Sequence, residues 1–301
     1  LPSPATTATQ SESLKTMCHS CDSKQVLRAN AVDRIDPTHT TMIRRAYEAE
    51  LGKRLRSLRG AIVKKLLDQD ALGLRVNYAF TRDSTKADSF MDWLRQEQGK
   101  TLEIYTGTPM ASSDTHWSAT YIDRAYMVGV GQAANSLRKG GATVEQPWIA
   151  EAFRRPIHAD RAGILHTRNY AGLQGISAKI EAGVAKVLTE GIINGVGAKQ
   201  MARTINAQVV RYTGDAKRLA RTEIINAHAE STLNSFVEAG IQGVEVEAEM
   251  LTAADACTQC MELKKKAPFK ISEARGRIPV HPNCRCAWKP IVVNGTGINL
   301  R

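Results

Sequence analysis

Five side chains in the last fifth of the chain are of types that bind metal ions. They occur as Cys257-x2-Cys260, a basic loop, and then His281-x2-Cys284-x-Cys286. Thiolates and an imidazole grouped at these spacings form either a zinc knot or a disulfide knot. Cys257 and Cys260 can grip one ion from a tight turn, and His281 with the Cys284/Cys286 pair can close the tetrahedron from the other side. Five candidates compete for four positions, so one is spare or the centre is not a simple zinc site. No single thiol stands apart as a nucleophile, and a closed structural site leaves no position for water. A structural knot is therefore favoured over a catalytic cysteine. His281 in isolation would read as a surface or core histidine, but three residues before Cys284 it reads as a ligand.

The elements that must position these ligands are legible around them. Val244 to Met250 alternates apolar and acidic residues, the pattern of a half-buried strand, and its expected partner is Ala287 to Val293. The intervening loop is basic, with eight Lys and Arg between Lys264 and Lys289 against Glu273 alone. Upstream, a helix is expected from Asp215 to Gly240, a natural residue to follow a helix end. Within it Arg221 and Glu223 lie two apart and cannot share a face. Glu223 as a lone catalytic acid is outweighed by an ion pair to another helix.

Further upstream the pattern is helical. Asp36-Pro37 is expected to cap a helix running to Asp68. Ile43, Tyr47, Leu51, Leu55, Leu58, Ile62 and Leu66 form its apolar stripe, and Gly52 and Gly60 could bend it. Between Arg44 and Lys65 that helix carries eight basic and two acidic residues, which suits a solvated face or a polyanion equally. A shorter helix is expected over 84–98 around Phe90, Trp93 and Leu94. Another, capped by Ser112-Ser113-Asp114, carries Trp117, Tyr121, Ala125 and Val128 on one side and ends at Gly140-Gly141. Pro147 and Pro156 mark a boundary. Beyond it, Ile176, Ile180, Val184, Val187 and Leu188 make one amphipathic helix, and Asn194-Gly-Val-Gly197 turns it into a second over Ala198 to Val210. This pair reads as a plain αα-hairpin rather than a DNA-reading helix-turn-helix. Gly195-x-Gly197-x-Lys199 lacks the spacing of a phosphate loop.

The expected class is mainly α: a helical N-terminal region over 33–146, and a second helical domain over 157–293 ending in a small α+β cysteine/histidine knot. Tails are expected at 1–32 and 294–301. Cys18-x2-Cys21 lies in the first tail, which is small and polar and reads as an exposed extension rather than a second zinc site. The 301 residues carry a net charge of +11 and few aromatics, which points to acidic or nucleic-acid partners and to helices packed through aliphatic side chains. No apolar run approaches the length needed to cross a bilayer, and the N-terminus has no secretory apolar core.

Three pieces in order carry a family resemblance. Leu219-Ala-Arg-Thr-Glu-Ile-Ile-Asn-Ala-His-Ala-Glu230 comes first, then Thr252-Ala-Ala-Asp-Ala-Cys-Thr-Gln-Cys260-Met-Glu-Leu263, then Pro279-Val-His-Pro-Asn-Cys-Arg-Cys286. Over roughly residues 165 to 290 the chain resembles the phage Mu F-like head morphogenesis proteins, minor capsid proteins of tailed phages. The similarity is weaker upstream, in Trp117-x3-Tyr121-Ile122-x2-Ala125-Tyr126-x2-Gly129. Lys264-Lys265-Lys266-Ala267-Pro268 departs from the short glycine-containing segment usual in the family. The resemblance implies a non-enzymatic virion protein inside the head, made in the host cytoplasm and present in several copies. It also implies association with the portal protein, with major capsid or scaffolding protein, and with packaged double-stranded DNA. A reducing cytosol would favour zinc over a disulfide at the knot. The expected contact residues for DNA or a protein partner are Arg44, Arg45, Lys53, Arg54, Arg56 and Arg59 on the first helix. In the knot loop they are Lys264, Lys265, Lys266, Lys270, Arg275 and Arg277. The competing readings are a nuclease or toxin-like enzyme using the Cys/His group, for which no extra domain is expected after residue 293, and a DNA-binding protein outside the virion.

Overall fold

The computed structural model describes residues 36–73, 84–104, 113–294 and 299–300. The expected tail with Cys18 and Cys21, and Ser112, lie outside the described residues. The elements in order are α1 (Thr41–Leu67), α2 (Ser84–Leu102), α3 (Ala119–Lys139), β1 (Thr143–Val144) and α4 (Gln146–Ala150). A 3-10 turn (Ala152–Arg154) leads into α5 (Pro156–Ile193) and α6 (Ala198–Ile241). The C-terminal part holds β2 (Glu245–Leu251), α7 (Thr258–Lys265), α8 (Ile271–Ala274), β3 (Ala287–Asn294) and β4 (Asn299–Leu300). The class is mainly α, with a small α+β knot at the C-terminal end, as the sequence predicts.

Helix α6 is the axis of the molecule. At 1.5 Å per residue it is about 66 Å long, and α1, α3 and α5 all pack principally on it. It runs unbroken through the stretch where the sequence suggests one helix ending near Val210 and another starting at Asp215. Gly214 costs about 1 kcal/mol in a helix interior. Burial of Ile205, Val209, Ala216 and Ala220 on the flanking turns continues the apolar face and outweighs that cost. Asp215 is therefore no N-cap and pairs with Arg218 inside the helix. Helices α5 and α6 form the expected αα-hairpin, with Gly195 at φ +66 in the turn.

All seven residues of the α1 stripe are buried. The helix starts later than Asp36-Pro37 suggests. Asp36 nevertheless serves the first turn as expected, from five residues ahead, accepting from the Thr41 backbone N–H (3.1 Å) and hydroxyl (2.6 Å). Its other oxygen accepts from the Thr38 hydroxyl at 2.6 Å, and Arg44 closes an ion pair at 2.8 Å. Helix α3 also differs from expectation. Ser113-Asp114 forms a turn, the helix begins at Ala119, and its buried face is Ile122, Ala125, Tyr126, Gly129, Val130, Ala133, Ala134 and Leu137. Trp117 precedes the helix, and Tyr121 and Val128 are only half-buried. Trp117 and Tyr121 pack around Tyr47 of α1.

The break in secondary structure near Pro147 and Pro156 is real, but one hydrophobic core runs across it, from Ile43 through Leu137 and Trp148 to Ile224. A second, smaller core joins Ile225, Ala229, Leu233 and Phe236 of α6 to Met250, Phe269, Ile278 and Trp288 of the knot. Strands β2 and β3 pair antiparallel, with Val246 opposite Val292 and Met250 opposite Trp288, and Ala248 bridges Phe269 on the other edge. Val144 and Leu300 make a two-residue parallel pairing of β1 with β4.

The α3–α6 crossing is closest at Gly129, where an added Cβ would lie 1.9 Å from Ser231 Oγ and 2.5 Å from the His228 carbonyl oxygen. At Gly131 on the same helix it would meet nothing within 4 Å. Gly129→Ala should lower stability by about 1–3 kcal/mol or more through overpacking. Gly131→Ala should leave it unchanged or raise it by roughly 0.5–1 kcal/mol. Urea unfolding of the pair checks this. A second expectation concerns acid. Burial raises the Asp36 pKa, but the Arg44 charge and the Thr38 and Thr41 hydrogen bonds outweigh it and hold the carboxyl at about 2. A lowered carboxyl pKa contributes stability above its unfolded value near 3.8 and loses it as pH falls toward about 2. Asp36→Asn should cost on the order of 2 kcal/mol at neutral pH, with the difference from the parent closing between pH 4 and pH 2.

Candidate metal centre

Each ligand candidate is placed by a different local device. Cys257 immediately precedes α7 in extended conformation, and Cys260 lies in the first turn of that helix. The sulfurs of an N-terminal helical turn at this spacing point the same way. His281 and Cys284 are joined by a tight turn in which the Cys284 N–H donates to the His281 carbonyl at 2.9 Å. Cys286 directly precedes β3, whose first residue Ala287 pairs with Leu251. The loop between the ligand pairs is pinned by the Phe269–Ala248 bridge and by the edge-to-face contact of Phe269 with Trp288.

These devices bring all five candidates into two overlapping triads close enough to hold a metal ion. One is Cys257, Cys260 and His281, the other Cys260, Cys284 and Cys286, and within each the ligand atoms lie within 4.8 Å of one another. His281 Nε2 is 3.2 Å from both Cys257 Sγ and Cys260 Sγ, and Cys260 Sγ is 4.0 Å from Cys284 Sγ. All four cysteines are buried and none is in a disulfide. The Cys284 sulfur accepts from Cys260 and Cys286, which holds it below the ordinary thiol range although burial acts against this. The same contacts with Cys284 and then Cys286, with burial added, push Cys260 up. Sulfurs and an imidazole gathered this closely can hold a cation among them.

The knot is clasped to α6 at two places. At one, Arg221 lies between Glu48 of α1 (2.6 and 2.9 Å) and Asn283 of the knot (3.1 Å), while Thr222 donates to the Pro282 carbonyl. At the other, Arg275 donates to Glu230 Oε2 at 2.8 Å and to Asn234 Oδ1 at 2.6 Å, and the Gly276 N–H reaches Glu230 Oε1. Beneath it lies a buried chain: Asn234 donates to the Tyr126 hydroxyl (3.0 Å), which meets His158 (2.9 Å), which meets Glu238 (3.0 Å), which pairs with Arg155 (2.5 Å). Glu223 points to the opposite side of α6 from Arg221 and pairs with Arg168 of α5 at 3.1 Å, the interhelical ion pair expected from the sequence. Burial nevertheless raises its pKa, with the Arg168 charge opposing.

The basic candidates divide into two groups. Arg44 is paired with Asp36, and Arg54 with Glu50 and Glu103 while its guanidinium stacks on Trp117. Lys265 is paired with Glu262, Arg275 is in the clasp, and Arg277 lies over the Phe269 ring. Arg45, Lys53, Arg56, Lys264, Lys266 and Lys270 have exposed side chains, and Arg59 is half-exposed. Sequence reasoning passed over Lys217 of α6. It approaches the same patch of α1 as Arg56, since a Cβ at Gly52 would lie 3.3 Å from Arg56 Nη1 and 4.0 Å from Lys217 Cε. It also passed over the Tyr126–His158–Glu238 chain, whose members come from three helices with no shared spacing to betray them. Among the described residues no helix is long and apolar enough to cross a membrane.

No family model, no curated protein and no solved structure matches the chain.

Cys260 belongs to both triads, so its loss should break both. In Cys260→Ala the amides of 251–290 should lose hydrogen-exchange protection, while those of α1, α3 and α5 keep theirs because the larger core does not pass through the knot. The same pattern is expected when the parent protein is treated with a strong chelator.

Proposed function

We propose that this chain is a minor head protein of a tailed phage, internal to the capsid, with a structural zinc knot and a basic surface for genome or portal. The observation that carries the reading is the ordered run of Arg-Thr-Glu, Asp-x-Cys-x2-Cys and His-Pro-x-Cys-Arg-Cys, together with the packing of its parts. The helix bearing Arg221 and Glu223 lies directly under the knot and holds it through Asn283 and Pro282. A zinc ion suits either four of these buried sulfurs or three with the imidazole, and their burial favours a closed site with a structural role. One ion per chain held by four of the five candidates is the expected stoichiometry.

The charge of α1 supports the same reading. Its two acidic residues within the basic run are both consumed in ion pairs, Glu48 with Arg221 and Glu50 with Arg54. Lys53, Arg56 and Lys64 are left on the solvent side, with Ser57 and Gly60 between them and Ala49 just before, all exposed. Small residues between cations let a phosphate backbone approach the helix closely. Such contacts need only Lys and Arg and read no sequence.

Two measurements test the proposal. The chain should be found inside purified heads, and chains reversed in charge at Lys53, Arg56 and Lys64 should be incorporated less. In fluorescence titrations with duplex DNA at several salt concentrations, binding should be independent of sequence, with a log–log slope of about −0.9 per phosphate contact. Changing Lys53, Arg56 and Lys64 to Gln should flatten the slope by about 2–3, and changing Lys264, Lys265 and Lys266 to Gln should do the same if the knot loop also meets DNA. Equal slopes for the parent and both triple variants would sink the DNA contact and assign the charge to a protein partner.

A further inference from the structure

We infer that Arg56 of α1 and Lys217 of α6 form a cradle over Gly52 that takes one phosphate group, free or within a nucleic-acid backbone. This deepens the reading of α1 as a surface for the genome, and rests on that reading only for the source of the phosphate.

The α1–α6 seam runs antiparallel, and its rungs can be followed in order. At one rung Glu48 of α1 is held by Arg221 of α6 at 2.6 and 2.9 Å. Four residues on along α1 and four back along α6, the next rung sets Gly52 against Lys217. A Cβ added at Gly52 would lie 3.3 Å from Arg56 Nη1 and 4.0 Å from Lys217 Cε. The Arg56 side chain therefore folds back one turn over Gly52, and Lys217 reaches across from the other helix to the same point. Gly52 is buried beneath them, while both cations are exposed.

Two positive side chains on flexible stems repel one another and splay apart when nothing lies between them. Here they converge, and no acid of either helix draws them together. The acids closest in sequence are engaged elsewhere: Glu48 with Arg221, Glu50 with Arg54, and Asp215 with Arg218. Among the described residues Arg56 and Lys217 are in no ion pair. An anion seated between them would relieve the repulsion and complete the rung.

The donors set the class of anion. A guanidinium presents a planar fork of N–H groups to two oxygens, and an ammonium adds a compact charge that can meet a third. A phosphate group has oxygens enough for both. Access suits the same ligand. One end of the cradle is closed by the Glu48–Arg221 pair, which is itself tied to Asn283 of the knot. Toward the other end, Gly60 of α1 and Gly214 of α6 are exposed, and a Cβ at either would meet nothing within 4 Å. A polyanion backbone can enter over these glycines and set one phosphate between the two cations.

The test has two arms, both on the full chain. In the first, melting is followed in rising inorganic phosphate, with sodium chloride at equal ionic strength as the blank. The wild-type chain should show a saturable rise in melting temperature. Arg56→Gln and Lys217→Gln should each move its midpoint to about tenfold higher phosphate or beyond, and the double variant should lose it. A control carrying Lys199→Gln and Arg203→Gln removes the same charge from exposed positions at the start of α6 and should keep the rise. No saturable rise in the wild type, or an equal rise in the Arg56/Lys217 double variant, overturns the cradle. So does an equal loss in the control, which would assign the effect to net charge.

The second arm titrates the same proteins with duplex DNA at several salt concentrations. If DNA supplies the phosphate, the Arg56/Lys217 double variant should flatten the log–log slope by about 0.9, the value of one phosphate. A change twice as large means that each cation holds its own phosphate, and overturns the shared cradle. An unchanged slope with the phosphate effect intact supports the cradle, assigns it to a free phosphate, and counts against the genome reading alone.

Discussion

One stretch of helix, Glu223 to Phe236 of α6, is buried at every position. A helix buried all round has no face left for water, so each polar group on it must find a partner inside the protein. This stretch holds Glu223, Asn226, His228, Glu230, Ser231, Thr232, Asn234 and Ser235, and the arrangement of its neighbours follows largely from meeting them, with His228 Nδ1 left without a hydrogen-bond partner. Arg168 of α5 meets Glu223, Gln132 of α3 meets His228, and the Ser231 and Thr232 hydroxyls turn back to the His228 carbonyl. His228 is kept neutral, its pKa lowered to about 4 chiefly by burial. Glu230 and Asn234 are left for the knot, which supplies Arg275. The helical body and the knot are thus two solutions to the same problem, one on each side of a single helix.

The knot in turn has little apolar content of its own. Its side chains Phe269, Ile278 and Trp288 form a core only by leaning on Ile225, Leu233 and Phe236. A two-stranded sheet is marginal alone. The buried cysteines belong to this same core, and the Arg275 and Asn283 contacts fasten the knot to α6 at two further places.

Much of this was legible in the sequence where the signal is large and local. The α1 stripe, the β2–β3 pair, the αα-hairpin and the five ligand candidates all follow from residue type and spacing. The misread elements share a cause. The packing face of α3 sets Ile122, Tyr126, Val130 and Leu137 among Ala125, Gly129, Ala133 and Ala134, whose small side chains dilute the hydrophobic signal, whereas Trp117 and Tyr121 give a loud one while lying at the margin. Polar residues such as Thr213 and Asp215 beside Gly214 look like a break in α6, but tertiary packing decides there. Nothing in the polar residues of α6 beyond Arg221 announces by pattern that a distant loop will cover them. The ligand types were visible, but the sharing of Cys260 between two triads depends on how α7, the 281–284 turn and β3 converge.

The order of synthesis gives the position of α6 one more consequence. The helix is complete at residue 241, yet the segments that cover its second face run from Ala248 to Trp288. At about 5–20 residues per second, Ile225, Leu233 and Phe236 stay uncovered for several seconds while the rest of the chain emerges. During that interval the nascent protein presents an apolar strip beside Glu230, whose partner Arg275 is still to emerge, whereas Glu238 already has Arg155 from the preceding turn.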